Sequence, residues 1–166
     1  MNHTKEKSKS YLSFMIGGEL FAAHVGHINN IIEVPRITEI PDTPEFLKGV
    51  INLRGQVLPV IDIRLIFGMA PIKLTSLTCI LVLDINLEGE NMHVGAMVDN
   101  VHEVMEINEN QILQSPKVLG LQKANVFIEG MVKVNEQFLM ILNINKIFDS
   151  EQLHKIQDQI ISTQKT

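Results

Sequence analysis

Hydrophobic and polar positions alternate along much of this chain, and the alternation breaks at glycines, prolines and short polar runs. "YLSFMI" (11–16) and "LFAAHV" (20–25) flank "GGE". Two adjacent glycines supply the positive φ of a tight turn, so this segment predicts a hairpin. "HINNIIEV" (27–34) continues extended. "PRITEIPDTPEF" carries three prolines in twelve residues and predicts an irregular connection. "LKGVINLR" and "QVLPVIDI" form a second hairpin around Arg54-Gly55. Pro59 has no N–H to give a ladder, which points to an edge strand or a bulge. "DIRLIFG" reads as a short helix with Asp62 as N-cap and Gly68 just past its end.

The pattern then resumes. "LTCILVLDI" (77–85), "MHVGAMV" (92–98) and "NVHEVMEI" predict strands, and "NENQILQSPKVLGLQKAN" a loose connection. "VFIEGMVKV" and "QFLMILNI" predict a last hairpin. In it Ile128, Gly130, Val132 and Val134 share one face, and Glu129, Met131, Lys133 and Asn135 the other. That period of two is the mark of a half-buried strand. Past Asp149, Leu153, Ile156 and Ile160 fall at helical spacing, which predicts a C-terminal amphipathic helix within 149–166. Residues 1–10 read as a disordered polar tail.

The two halves repeat. At an offset of 81 residues, "FLKGVINLRGQVLPVIDIRLIF" (46–67) falls on "FIEGMVKVNEQFLMILNINKIF" (127–148). Gly49 meets Gly130, and Asp62 meets Asn143, a second cap-forming residue. At an offset of 73, "VGHINNIIEV" (25–34) falls on "VDNVHEVMEI" (98–107). Two small β-units follow from this, of roughly five strands each, since a lone hairpin is unstable and closure into a barrel hides edges. The units span roughly 11–68 and 77–148, with intertwining of the two left open. In "INNIIEV" and "VHEVMEI", either Ile31 and Val104 or Ile32 and Met105 face outward in an extended chain. A bulge or short helix that hides both is the alternative to an exposed apolar stripe.

The repeat also isolates one difference. Arg54, the single charge in "GVINLRGQVLPVID", falls on Asn135, and Gly55 on Glu136. A cation needed by the fold alone would be expected in both units. Glu33 is a candidate partner for it.

Composition narrows the function. Hydrophobic residues make up 45% of 166, enough for a sizeable core, and only 5% are aromatic, so that core is aliphatic. The net charge of −5, without a basic face, argues against nucleic acid and anionic membrane surfaces. No apolar run reaches the ~18–20 residues of a membrane span. A lone cysteine, Cys79, excludes an internal disulfide and suits a reducing, cytoplasmic compartment. Its place in "CILVLDI" predicts a small buried hydrophobe. His24 and His27, with His93, are the candidate metal ligands. A strand splays the first two onto opposite faces, and no further ligand pair supports them. No nucleophile–base arrangement and no phosphate-binding loop is legible, so neither an enzyme nor a cofactor is expected.

At this point the residues carry a resemblance. "FLKGVINLRGQVLPVIDIRLIFG" resembles the hallmark segment of the CheW family of chemotaxis coupling proteins, and the likeness runs from about Tyr11 to Phe148. It implies a mainly β fold of two five-stranded SH3-like barrels packed together, with short helices and a C-terminal helix. It implies a non-enzymatic adaptor, recruited to membrane-bound receptor arrays, that links the cytoplasmic tips of chemoreceptors to the regulatory domain of the histidine kinase CheA. By similarity, Ile31 and Glu33 face the receptor with Val101 and Val104 across a groove, and Gly49 and Arg54 belong to the motif for array assembly. Kinase contacts are expected near Arg64–Phe67 and Phe148. A chain of this length beginning at Met1 leaves no room for a kinase or receiver domain, which points to the free adaptor. A same-fold adaptor of a pilus-driven motility system is the alternative.

Overall fold

The computed structural model describes residues 8–87, 89–113 and 126–148, and in them each predicted hairpin finds its partners in the other half of the chain. The strands are β1 (Ser8–Ile16), β2 (Glu19–His24), β3 (Ile28–Glu33), β4 (Leu47–Leu53), β5 (Gln56–Asp62), β6 (Cys79–Leu87), β7 (Glu90–Val98), β8 (Asn100–Asn108), β9 (Ile128–Val134) and β10 (Gln137–Leu142). Two one-turn helices, α1 (Ile63–Ile66) and α2 (Ile144–Ile147), follow β5 and β10. The predicted C-terminal helix lies outside the described residues, as do residues 1–7 of the predicted tail. The end of that tail is strand: β1 starts at Ser8, because the Ser8 and Ser10 hydroxyls donate to Glu106 on β8 at 2.8 and 2.6 Å.

There are two five-stranded sheets, ordered β8-β1-β2-β10-β9 and β3-β6-β7-β5-β4. The orders are the same once each strand is exchanged for the one five places away, so the sequence repeat is a structural repeat. The repeats are swapped, however. One sheet is contiguous, from β3 to β7. The other joins β1 and β2 to β8, β9 and β10. The division into 11–68 and 77–148 therefore cuts across both sheets.

Each sheet is closed by an isolated bridge between the segment after its first edge strand and its last edge strand. Thr38 exchanges backbone bonds of 2.9 and 2.9 Å with Val50, and Leu113 exchanges bonds of 2.7 and 3.0 Å with Met131. Val50 and Met131 are repeat equivalents. The proline-rich connection thus has a job: it brings Thr38 back against β4. Closure explains Pro59, which is not on an edge. Val50, opposite it, spends its N–H and C=O on Thr38, so the missing N–H of Pro59 costs no bond on that side. On the other side, pairing with β7 starts only at Val60.

Three cores result. Tyr11, Leu20, Ala22, Ile107, Val132, Leu139 and Ile141 fill one sheet. Ile51, Leu58, Val60, Ile80, Val82 and Met97 fill the other. The largest core lies between the sheets and includes Phe14, Phe21, Ile61, Leu81, Met140 and Ile144. β9 keeps the half-buried alternation at the exposed Glu129 and Lys133 and departs from it at Met131. Met131 is buried between the sheets together with Ile128, because a register shift moves Ile128 off the face of Val132. Caps fall as expected: Asp62 Oδ1 accepts from the Arg64 amide at 3.0 Å, and Asn143 Oδ1 accepts from that of Lys146 at 3.2 Å. Asp62 is fully buried and also accepts from the Ile72 amide at 2.8 Å, so it ties down the connection to β6.

Candidate functional site: the seam between the sheets

Residues directly opposite in a ladder project to the same face of a sheet. Ile31 lies opposite Leu81, and Glu33 opposite Cys79. Leu81 is in the central core and Cys79 packs against it. On the other sheet Val104 lies opposite Leu12, and Val101 opposite Phe14, both again central-core residues. Val101 and Val104 are three apart, and a bulge between Leu12 and Phe14 restores both to one face. Ile31, Glu33, Val101 and Val104 thus all occupy the faces that the two sheets turn toward each other. They sit on β3 and β8, the equivalent strands of the two orders, at the margin of the seam.

This arrangement settles which apolar pair faces out. Ile31 is 41% exposed and Val104 62%. Ile32 and Met105 are half-buried against the cores of their own sheets. No helix or bulge hides both pairs. Val101 is half-buried on the central core, so it forms the floor of the seam more than its rim.

The structure adds Cys79 to this group. Instead of being fully buried, it is partly exposed at the head of β6, opposite Glu33, and its thiol donates to the Leu77 carbonyl at 3.3 Å. Burial, and then the nearby Glu33 carboxylate, push its thiol above the ordinary value. Cys79 pairs with β3 and packs on the same central core as Val101 of β8, a position that only the swapped topology reveals. The equivalent contact in the other half is Ser10 with Glu106. There the Ser10 and then the Ser8 hydroxyl hold the carboxyl below its ordinary value.

Gly49 and Arg54 lie elsewhere on the sheet of β3. Gly49 is on β4 with φ +146°, and a Cβ there would fall on the Thr38 carbonyl of the closing bridge. A Cβ on Gly130, its equivalent, would fall on the Ile112 side chain beside the other bridge. The glycines recur because closure recurs. Arg54 occupies the first position of the β4–β5 turn with φ +53°, and Asn135 the matching position with φ +55°. Asn52 Oδ1 steadies the first turn by accepting from the Gly55 amide at 2.9 Å. The left-handed conformation is tolerated by Asn and unfavourable for Arg. Arg54 is exposed, and the expected pair with Glu33 does not form: among the described residues the ion pairs are Lys48–Asp62, Arg64–Asp99 and His93–Asp84. No described residue holds Arg54.

Two other expectations change. Phe67 and Phe148 are 2% and 3% exposed, inside the central core, so they offer no contact surface. Arg64 is committed to Asp99, whose hydrogen bond is the main cause that holds the guanidinium above its ordinary value. His24 and His27 are not splayed. His27 lies in the 3-10 turn after β2, and the two rings stand 6.3 Å apart. His24 Nδ1 is spent on the Gly26 amide, and His93 Nε2 on Asp84. Among the described residues no group of three His, Cys, Asp or Glu side chains could hold a metal ion.

The family model described as the CheW-like domain matches residues 10–152. The chemotaxis protein CheW of Klebsiella aerogenes is 30% identical over 145 residues, 87% of this chain and 84% of that protein. The crystal structure of the scaffolding protein TtCheW from Thermoanaerobacter tengcongensis superposes with a TM-score of 0.75 at 32% identity, covering 92% of this chain and 95% of that one. Protein PilI of Pseudomonas aeruginosa is 32% identical over 95 residues, 57% of this chain and 51% of that protein.

Proposed function

This chain belongs to the CheW-like domain family, and from that premise we propose that it couples the cytoplasmic tips of chemoreceptors to the regulatory domain of the histidine kinase CheA, through surfaces and without chemistry of its own. The observation that carries this is the seam. Ile31 and Val104 expose apolar area on two strands from different sheets, with Glu33 at the rim and Val101 and Cys79 beneath. An amphipathic helix of a receptor tip fits such a groove by its apolar stripe. Arg54 supplies the second surface: an unpaired cation at a turn where it is disfavoured is available to a carboxylate of the array. Gly49 serves assembly only through the Thr38–Val50 bridge that it allows to close. The adaptor acts in the cytoplasm and reaches the membrane through its receptors. No helix among the described residues is long and apolar enough to cross one.

Co-sedimentation with a receptor cytoplasmic fragment and the kinase tests the proposal. Binding to both is expected, and binding to neither sinks it. A second reading, the same adaptor role in a pilus-driven chemosensory system, is favoured by the partial likeness to Protein PilI. Identifying which receptors and kinase co-purify with the chain from its own cell separates the two.

A further inference from the structure

The chain passes between the sheets twice. From β2 to β3 it crosses through the 3-10 turn Val25–His27, where the side-chain bond is local, from the Gly26 amide to His24. From β7 to β8 it crosses through one residue, Asp99. That crossing is clamped. The Asp99 amide donates to the Met15 carbonyl at 2.9 Å, and Oδ2 accepts from the Gly17 amide at 2.8 Å, both on the sheet that β8 joins. From α1, at the end of the sheet that β7 leaves, Arg64 closes a two-pronged pair on the same carboxylate at 3.0 and 2.8 Å. The pair is about three-quarters buried, with side chains 23% and 21% exposed. In the repeat Arg64 falls on Asn145 and Asp99 on Gly26, so the other crossing has no such clamp.

We propose that Arg64 and Asp99 are positioning residues for the seam: their ion pair fixes how β8 departs from β7, and so the spacing of Val101 and Val104 from Ile31 and Glu33. That this spacing matters for receptor binding rests on the function proposed above; that the pair sets it does not. A planar guanidinium on both carboxylate oxygens constrains direction as well as distance, which a lysine does not. The unclamped crossing at Gly26 leaves β3 free to adjust while β8 is held.

The test places spin labels at Asn29→Cys on β3 and His102→Cys on β8, in a Cys79→Ser background. A second pair, Asn29→Cys with Glu90→Cys, reports within one sheet. In Arg64→Ala and in Asp99→Asn the seam distance distribution is expected to widen while the within-sheet distribution holds. Arg64→Lys should fall between. Receptor-fragment affinity should drop on the order of fivefold, the lower end of coupling between linked elements. An unchanged seam distribution in folded variants overturns the proposal, and so does equal broadening of both pairs, which is general loosening. If the seam widens but even the parent protein binds no receptor, the positioning claim stands and the receptor reading falls.

Discussion

The tips of the β4–β5 and β9–β10 hairpins are the same turn built twice, and they differ where function is argued to lie. Both start with a residue at φ near +55°, both follow a glycine that makes room for a closing bridge, and both lead to a capped helical turn. Asn135 suits its position. Arg54 does not, and no described residue engages it. In these two hairpins the features that serve the fold recur, and the one that strains its backbone occurs once. Strain retained at one of two equivalent places points to a use outside the fold.

The comparison can be broken most forcefully at the glycines. Gly49→Ala drives a Cβ into a backbone carbonyl at positive φ and should cost about 3 kcal/mol, measured by denaturant unfolding. Gly130→Ala, without the positive φ, meets the Ile112 side chain and crowds the Leu113 carbonyl less closely, and should cost about 1–2 kcal/mol. Equal costs would mean that the two glycines meet equally rigid surroundings. Next in size is the seam. Ile31→Asp and Val104→Asp should each weaken receptor-fragment binding about tenfold, roughly 1.4 kcal/mol, by calorimetric titration. Both sites are exposed, so unfolding should move by no more than about 0.5 kcal/mol. Loss of binding from one alone would reduce the seam to a one-sided surface.

Exchanging the turn residues sharpens the contrast. Arg54→Asn should stabilise by about 1 kcal/mol and Asn135→Arg should destabilise by about as much, read from the same unfolding curves. The smallest effect concerns the carboxylates of the edge strands. Ser10→Ala should let the Glu106 carboxyl rise toward its ordinary value in an NMR titration. Because a lowered folded-state value stabilises above the unfolded pKa and that gain fades as pH falls through the folded one, the parent should outlast the variant only above the acid range. An unmoved Glu106 would show that Ser8 alone holds it.

Much of this was legible in the sequence. Hairpins, caps and the repeat depend on local turn chemistry and on periodicity, which a single chain displays. Ile31, Glu33, Val101 and Val104 were placed correctly on strands, and the choice of Ile31 over Ile32 needed the ladder partner of each. What stayed hidden was set by long-range pairing. The exchange of β1–β2 between repeats leaves no local trace, and from it follow the position of Cys79 at the seam and the burial of Met131 on a face that periodicity assigns to solvent. Phe67 and Phe148, expected near kinase contacts, are central core, because α1 and α2 fold in over the gap between the sheets. Arg64, expected near a kinase contact, is committed to Asp99. Pro59 pointed to an edge strand or a bulge because its missing donor was counted without the Thr38 bridge.

The central claim is that Arg54 is kept for a partner at the expense of its own turn. Co-sedimentation of the Arg54→Asn variant with receptor fragment and kinase, beside its unfolding midpoint, tests this most directly. The expected result is a protein at least as stable as the parent that no longer enters the complex. A variant that assembles as the parent does, or one that fails to assemble because it is less stable, would contradict it.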